Sequence, residues 1–362
     1  MRSENILKAL ESEMPFSLSR EKKEALLLNI LTRLDQHHRD RCGFYDAIVS
    51  SGEFSKYAGS LEQLPYIPVR IFKHLEMLSV SRENVFKTLL SSGTSGTKPS
   101  RIFLDRENAA NQTKVLGATI AHLLGRERIP LLIIDNEDVL KNRETFNART
   151  AATLGFSLHG KNIQYALDSK MQLNIDTIVS FINKHAEAKK IAVFGFTHIV
   201  WQSLVDALDH IGDDLKFPEG TLLLHGGGWK KMHDRQVDNS TFKKTIRERT
   251  GISQIHNYYG MVEQTGSIFI ECDSGHLHTS NYCHVIIRDI KTHRPLAFNE
   301  QGIIQVQSVL PTSYPGHSLL TEDLGAVHGE DDCPCGRKGR YFSVYGRMQE
   351  SEARGCSDVR TF

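Results

Sequence analysis

The chain has 362 residues, 40% of them hydrophobic and 24% charged, the proportions of a globular enzyme with a sizeable core. Its 44 Lys and Arg against 43 Asp and Glu leave a formal charge of +1, with no basic stripe or acidic tail, which argues against nucleic acid as the main partner. No apolar run reaches the roughly 18–20 residues of a membrane span and charges interrupt MRSENILKALESEMPFS where a signal peptide would be apolar, so a cytoplasmic protein is expected; six cysteines are too sparse for a disulfide framework, which leaves reduced thiols, a metal site or a reactive nucleophile.

Ser19 is a candidate N-cap for a helix over REKKEALLLNILTRLDQHH, where Leu27, Leu31 and Leu34 share a face and Ile30 lies beside them. The two prolines of LPYIPVRIFK predict an extended crossing, and VFKTLL reads as a strand leading into the loop LSSGTSGTKPSR. Further on, the strand candidates IPLLIID, IAVFGF and TLLLHG alternate with helical stretches such as IDTIVSFINKHAEAKK and TFKKTIRERTG. That alternation predicts an α/β domain with a largely parallel sheet, whose ligands gather at the C-terminal strand ends. Within it, FGFTHIVWQ reads as core, with an acyl-pocket lining as the alternative. From about residue 268, HVIIRDI and GIIQVQSVL predict short strands in an antiparallel or barrel-like subdomain, and the closing GRMQESEARGCSDVRTF reads as an exposed tail.

The glycine-rich loop carries the first chemistry. Gly93 and Gly96 allow successive backbone N–H groups to face one concavity, Ser91, Ser92, Thr94, Ser95 and Thr97 add hydroxyls, and Lys98 adds a mobile cation. Such a loop suits a polyphosphate. It is not a Walker A loop, because Thr97 stands where that pattern needs glycine before the lysine.

SSGTSGTKPSR resembles the phosphate loop of the adenylate-forming enzymes, and that superfamily's other stations follow in order: GGGW, YYGMVEQTG, TEDLG and YGR. With IPVRIFK, HGGGWKK and the closing RGCSD, the chain resembles more narrowly the LuxE-type acyl-protein synthetases of the bacterial luminescence fatty-acid reductase, from about residue 65 to its end. The resemblance implies an adenylation (AMP-binding) domain over residues 1–345, built of parallel-sheet α/β subdomains and a small barrel-like one. It also implies that the usual C-terminal lobe is reduced to a hinge and short tail over 346–362.

The resemblance implies ATP and Mg²⁺ as cofactors. Residues Ser92, Gly93, Thr94, Ser95, Gly96, Thr97 and Lys98 would grip the phosphates, and Glu263 would hold Mg²⁺ near the α-phosphate, a carboxylate being what a hard cation prefers. Asp323 would accept the ribose hydroxyls, Arg347 would lie at the hinge, and Gly227, Gly228 and the Tyr258-Tyr259-Gly260 segment would flank the adenine and the activated carboxylate. Two positions depart from the pattern: Val262 stands where threonine is frequent and Glu322 where glycine is frequent.

An acyl-adenylate needs a nucleophile, and Cys356 in ARGCSDVR supplies a thiol beside Arg354 and Arg360. By resemblance Cys356 is the acyl acceptor. The expected reaction joins a carboxylic acid, by resemblance a fatty acid, to AMP and then to Cys356 as a thioester, for delivery to a separate acyl-protein reductase of the LuxC-like kind. Two other functions are compatible with the sequence: a ligase that passes the acyl group to CoA or a carrier protein, and a non-catalytic nucleotide-binding relative.

Cys333 and Cys335, with Cys272 and one of His276 or His278, have the make-up of a closed Cys3His structural zinc site. Phenylacetate-CoA-ligase-like proteins show a similar arrangement, which points to His278. A tight turn with two reduced cysteines is the alternative, while Cys42 and Cys283 read as ordinary buried thiols.

Overall fold

The structure, a computed structural model, describes residues 10, 13–52, 54, 58–91, 98–140, 147–211, 214–229 and 234–348. The chain forms two units, one from residues 1–118 and 261–362 and the other from residues 119–260. Among the described residues, no helix is long and apolar enough to cross a membrane.

In the first unit the helix Arg20–Arg41 buries Leu27, Ile30, Leu31 and Leu34 as its spacing predicts, against Leu61, Leu64, Val309 and Leu310. Ser19 occupies the cap position, yet its side chain makes no capping bond. Asp331 does so from a distant turn, its Oδ2 accepting the Arg20 N–H at 2.7 Å. LPYIPVRIFK is not a single extended crossing. Only Ile67–Pro68 (β1) is strand, and Val69–Lys73 closes into a 3₁₀ turn because Phe72 is drawn into the core. Strands β2 (Lys87–Leu90) and β3 (Arg101–Leu104) form an antiparallel hairpin whose connection is the glycine-rich loop.

The second unit holds β4 (Ile129–Ile134), β5 (Gly160–Tyr165), β6 (Ile191–Phe196), β7 (Thr221–Gly226) and β8 (Gln254–Tyr259). They pair in parallel in the order β8-β7-β6-β4-β5. Strands β4 and β7 are buried along their whole length, which explains why they read as continuous apolar runs rather than alternating ones. Asn174 caps the helix Ile175–Lys184 and Asp238 caps Asn239–Thr250, each by accepting a backbone N–H of the first turn.

Returning to the first unit, the chain forms β9 (Phe269–Glu271), β10 (Leu277–His278), β11 (Cys283–Arg288), β12 (Gly302–Ser308), β13 (Ser318–Glu330) and β14 (Arg340–Arg347). These are antiparallel in the order β11-β12-β13-β14-β10-β9, with β1 added in parallel to β13 through Ile67–Leu319 and Pro68–Leu320. The predicted antiparallel region is therefore present, although β13 is far from short.

Asn108, in the helix Arg106–Leu124, ties the segment before β13 to the core of this unit. It is fully buried, donates to Leu310 O at 2.8 Å, and accepts from Thr312 N, Ser313 N and the Ser313 hydroxyl at 3.3, 3.3 and 2.8 Å. Asn108→Ala would leave these groups unpaired and is expected to destabilise the protein by about 3 kcal/mol. Urea unfolding checks this, and a loss under about 1 kcal/mol would contradict the network's role.

Candidate functional site

In the unit formed by residues 119–260, two of the expected segments lie side by side. Gly226 pairs with Tyr258 across β7 and β8, so Gly227–Gly228 and Tyr259–Gly260 emerge together from the C-terminal ends of adjacent strands. Gly226 itself is required: a Cβ there would lie 2.4 Å from the Tyr258 ring. Gly227 has φ of +79° and is exposed, and at Gly228 the space is open, which leaves the backbone accessible to a ligand.

In the other unit, Glu263 sits in the 3₁₀ turn Val262–Gln264 and is only 7% exposed. The turn is pinned on both sides. Gln264 Nε2 donates to Gly316 O at 2.8 Å, and the Tyr314 hydroxyl donates to Glu263 O at 2.8 Å. Gly266 follows with φ of +92°, at a place where a Cβ would strike the Gln112 backbone at 2.7 Å, which explains the glycine of EQTG. Burial raises the Glu263 carboxyl above its ordinary pKa, opposed by a hydrogen bond from Ser100 and by the charges of Lys73 and Arg347. Val262 is buried core, consistent with an apolar residue at that place.

Asp323 and Arg347 are direct cross-strand partners on β13 and β14, with Arg347 Nε 3.9 Å from Asp323 Oδ1. The Asp323 N–H is fixed by Thr321 Oγ1 at 3.1 Å. Glu322, the departure from the family pattern, accepts from Arg70 Nε at 2.8 Å and lies 3.7 Å from Arg347 Nη2. Its burial works against ionisation, but Arg70 and Arg347 outweigh that and hold it below the usual carboxylate range. Sequence reasoning missed Arg70, Lys73, Ser100 and Tyr314 around this carboxylate cluster. Only the parallel pairing of β1 with β13 brings the first two there, and no local pattern encodes it.

The expected metal set is also brought together. The β9–β10 hairpin carries Cys272 and His278, the turn between β13 and β14 carries Cys333 and Cys335, and β10 pairs with β14. The four ligand atoms all lie within 4.8 Å of one another. Cys272 Sγ is 3.9 Å from Cys333 Sγ, and Cys335 Sγ is 3.4 Å from His278 Nε2. Burial lowers the His278 pKa to about 3, which keeps the ring neutral and able to donate an electron pair. Burial and the neighbouring thiols push the Cys335 thiol up to about 12. Of the remaining expected residues, Lys98 is exposed beyond the loop, and Ser92 to Thr97 and Cys356 lie outside the described residues.

A family model, acyl-protein synthetase LuxE, matches residues 2–361. The chain belongs to this family. Relatives include the long-chain-fatty-acid–luciferin-component ligases of Aliivibrio fischeri, 22% identical over 318 residues, and of Vibrio harveyi, 24% identical over 313 residues. Each alignment covers 82% of this chain, with 78% and 77% of the two relatives. Among solved structures, an open conformation of 2-hydroxyisobutyryl-CoA ligase in complex with 2-HIB-AMP and CoA gives a TM-score of 0.68 at 15% identity, covering 92% of this chain and 76% of that one. The LuxE-family chain thus has the fold expected from its sequence, the large domain of an adenylate-forming ligase.

The buried Glu263 has a testable pH signature. A carboxyl whose folded pKa is raised costs stability once it ionises, so that cost is absent below its unfolded pKa and grows as pH rises through the folded one. Glu263→Gln is expected to match the wild type near pH 4 and to melt higher at pH 8 without Mg²⁺, by on the order of 2 °C. Thermal melts at the two pH values check this, and a Gln variant less stable at pH 8 would refute the burial argument.

Proposed function

We propose that the protein activates a fatty acid or a related carboxylic acid with ATP and transfers the acyl group to its own Cys356. The observation that carries this reading is the family match extending through residue 361, and so including Cys356. The buried Glu263 and the Asp323–Arg347 pair supply chemistry that suits it. In the first step a carboxylate oxygen attacks the α-phosphorus, the bond to the bridging oxygen breaks, and pyrophosphate leaves with the electron pair. In the second step the Cys356 thiolate attacks the acyl carbon and expels AMP.

Glu263 would hold Mg²⁺, which when bound offsets charge on the phosphates. Asp323 would receive the ribose hydroxyls, with Arg347 beside it. Gly227, Gly228 and the Tyr258–Gly260 segment would flank the adenine, and residues 92–98 the phosphates. The thioester would then pass to a thiol of a separate acyl-protein reductase, of the LuxC-like kind.

Intact-mass spectrometry after incubation with ATP, Mg²⁺ and a panel of fatty acids tests the scheme. The wild type is expected to gain a hydroxylamine-labile acyl mass that Cys356→Ser lacks, while both variants release pyrophosphate. Pyrophosphate release with no adduct on the wild type would reject Cys356 and indicate CoA or a carrier protein as acceptor.

We further propose that Cys272, His278, Cys333 and Cys335 bind one structural zinc ion. Zn–S bonds of about 2.3 Å in a tetrahedron place two sulfurs about 3.8 Å apart, and a sulfur and an imidazole nitrogen about 3.5 Å apart. The separations of 3.9 and 3.4 Å suit that geometry. The Arg337 N–H also donates to Cys335 Sγ at 3.4 Å, a bond that favours a thiolate. Elemental analysis is expected to give about one zinc per chain, falling at least tenfold in Cys335→Ala. Zinc-replete growth that yields protein free of metal would reject the site.

A further inference from the structure

Lys73 closes the 3₁₀ turn Val69–Lys73 and is half-buried. Its position is fixed from three sides. β1 runs parallel to Leu319–Leu320, so the turn that follows lies alongside Thr321–Asp323. Within the turn, Arg70 is held by Glu322 through Nε at 2.8 Å. Phe72 is fully buried and packs edge-on against the Tyr314 ring with centroids 6.0 Å apart, and the Tyr314 hydroxyl donates to Glu263 O. The turn is therefore clamped between the Asp323 segment and the Glu263 segment.

Arg70 and Arg347 are engaged with Glu322 and Asp323. Lys73 makes no hydrogen bond or close ion pair among the described residues, although its charge acts on both Glu263 and Glu322. An ammonium carried on a clamped turn, whose charge reaches the carboxylate proposed to hold Mg²⁺, matches what an attack on the α-phosphate needs, because negative charge grows on the phosphoryl oxygens before pyrophosphate departs.

We propose that Lys73 is a catalytic residue of the adenylation step, its ammonium binding an α-phosphoryl oxygen and stabilising the charge that develops there. This rests on the reading under Proposed function. Lys73 stays protonated throughout: a new bond forms between the carboxylate oxygen and the α-phosphorus, the bond from the α-phosphorus to the α–β bridging oxygen breaks with its electron pair leaving on pyrophosphate, and no proton is exchanged.

The test is acid-dependent ATP–pyrophosphate exchange in the full chain with Lys73→Met and Lys73→Arg, beside acylation of Cys356 by chemically prepared acyl-AMP. Removing a fixed donor of this kind lowers the rate on the order of 100-fold or more, so Lys73→Met is expected to lose that much kcat with KM for ATP within about threefold. Lys73→Arg, which keeps the charge, should recover to within about tenfold of the wild type. Acylation from acyl-AMP, which bypasses the step, should stay within about threefold in both variants. Exchange by Lys73→Met within about threefold of the wild type would overturn the assignment, as would equal loss in Met and Arg variants accompanied by weaker acylation from acyl-AMP and a lower melting temperature. Absence of exchange in the wild type would overturn the activation reading as well, so the two failures are told apart.

Discussion

The backbone ladder of β13 is the constraint on which the first unit depends. At 13 residues it spans about 40 Å and pairs with β12, β14 and β1. Its first half lies beside the turn carrying Arg70 and Lys73 and places Asp323 opposite Arg347. Its far end opens into the turn of Cys333 and Cys335, and Asp331 in that turn caps the helix Arg20–Arg41. A strand fixed by hydrogen bonds on both edges cannot slip by one residue without turning every side chain to the other face. The candidate carboxylates and the cysteine turn are thus held to one register.

Glu263 shows what that rigidity costs. A carboxylate taken out of water is normally stabilised by a paired guanidinium. Here Arg347 is engaged with Glu322 and Asp323, so the Ser100 hydrogen bond and the charges of Lys73 and Arg347 only partly offset the burial of Glu263. A carboxylate held in this under-compensated state would meet little competition from its own protein for the Mg²⁺ proposed there. Glu322, which replaces the glycine frequent at its position, fits the same economy of charge by engaging Arg70 and steadying the turn that bears Lys73.

Local patterns made much of this legible. The apolar runs of β4, β6 and β7 match strands buried on both faces, and the heptad-like leucines of Arg20–Arg41 all turn inward. Glycine-bearing segments could be assigned to strand ends because their spacing from those runs is short. Contacts made at long sequence separation were not legible. Pairing of Ile67–Pro68 with a strand some 250 residues later, the cap from Asp331, and the approach of Arg70 to Glu322 at a separation of 252 residues leave no periodic trace. Nor does sequence show that residues 119–260 form a unit inserted between the two parts of another. The four metal-set residues were legible because Cys and His are rare and chemically distinctive, whereas Lys73 was one lysine among many.

The metal set and the carboxylate cluster lie apart on β13, and their chemistry suits different ends. Asp323 and Glu330 are seven residues apart on one extended strand, about 23 Å at the usual rise, so an ion in the cysteine turn lies far from Asp323. Three thiols and one imidazole also fill a tetrahedral ion completely, leaving no position for a substrate. What such an ion supplies is a cross-link. Cys272 and Cys333 are 61 residues apart, and closing a loop of that length restricts the unfolded chain by about 4 kcal/mol in the chain-entropy account. A disulfide between the same two residues would give a comparable restriction but would strand the Cys335 thiol against the buried His278 ring. A metal satisfies all four donors at once, and its two anchoring turns are those that join β9 to β10 and β13 to β14. A zinc ion bound there would therefore secure the far end of β13, and through the ladder the register at Asp323.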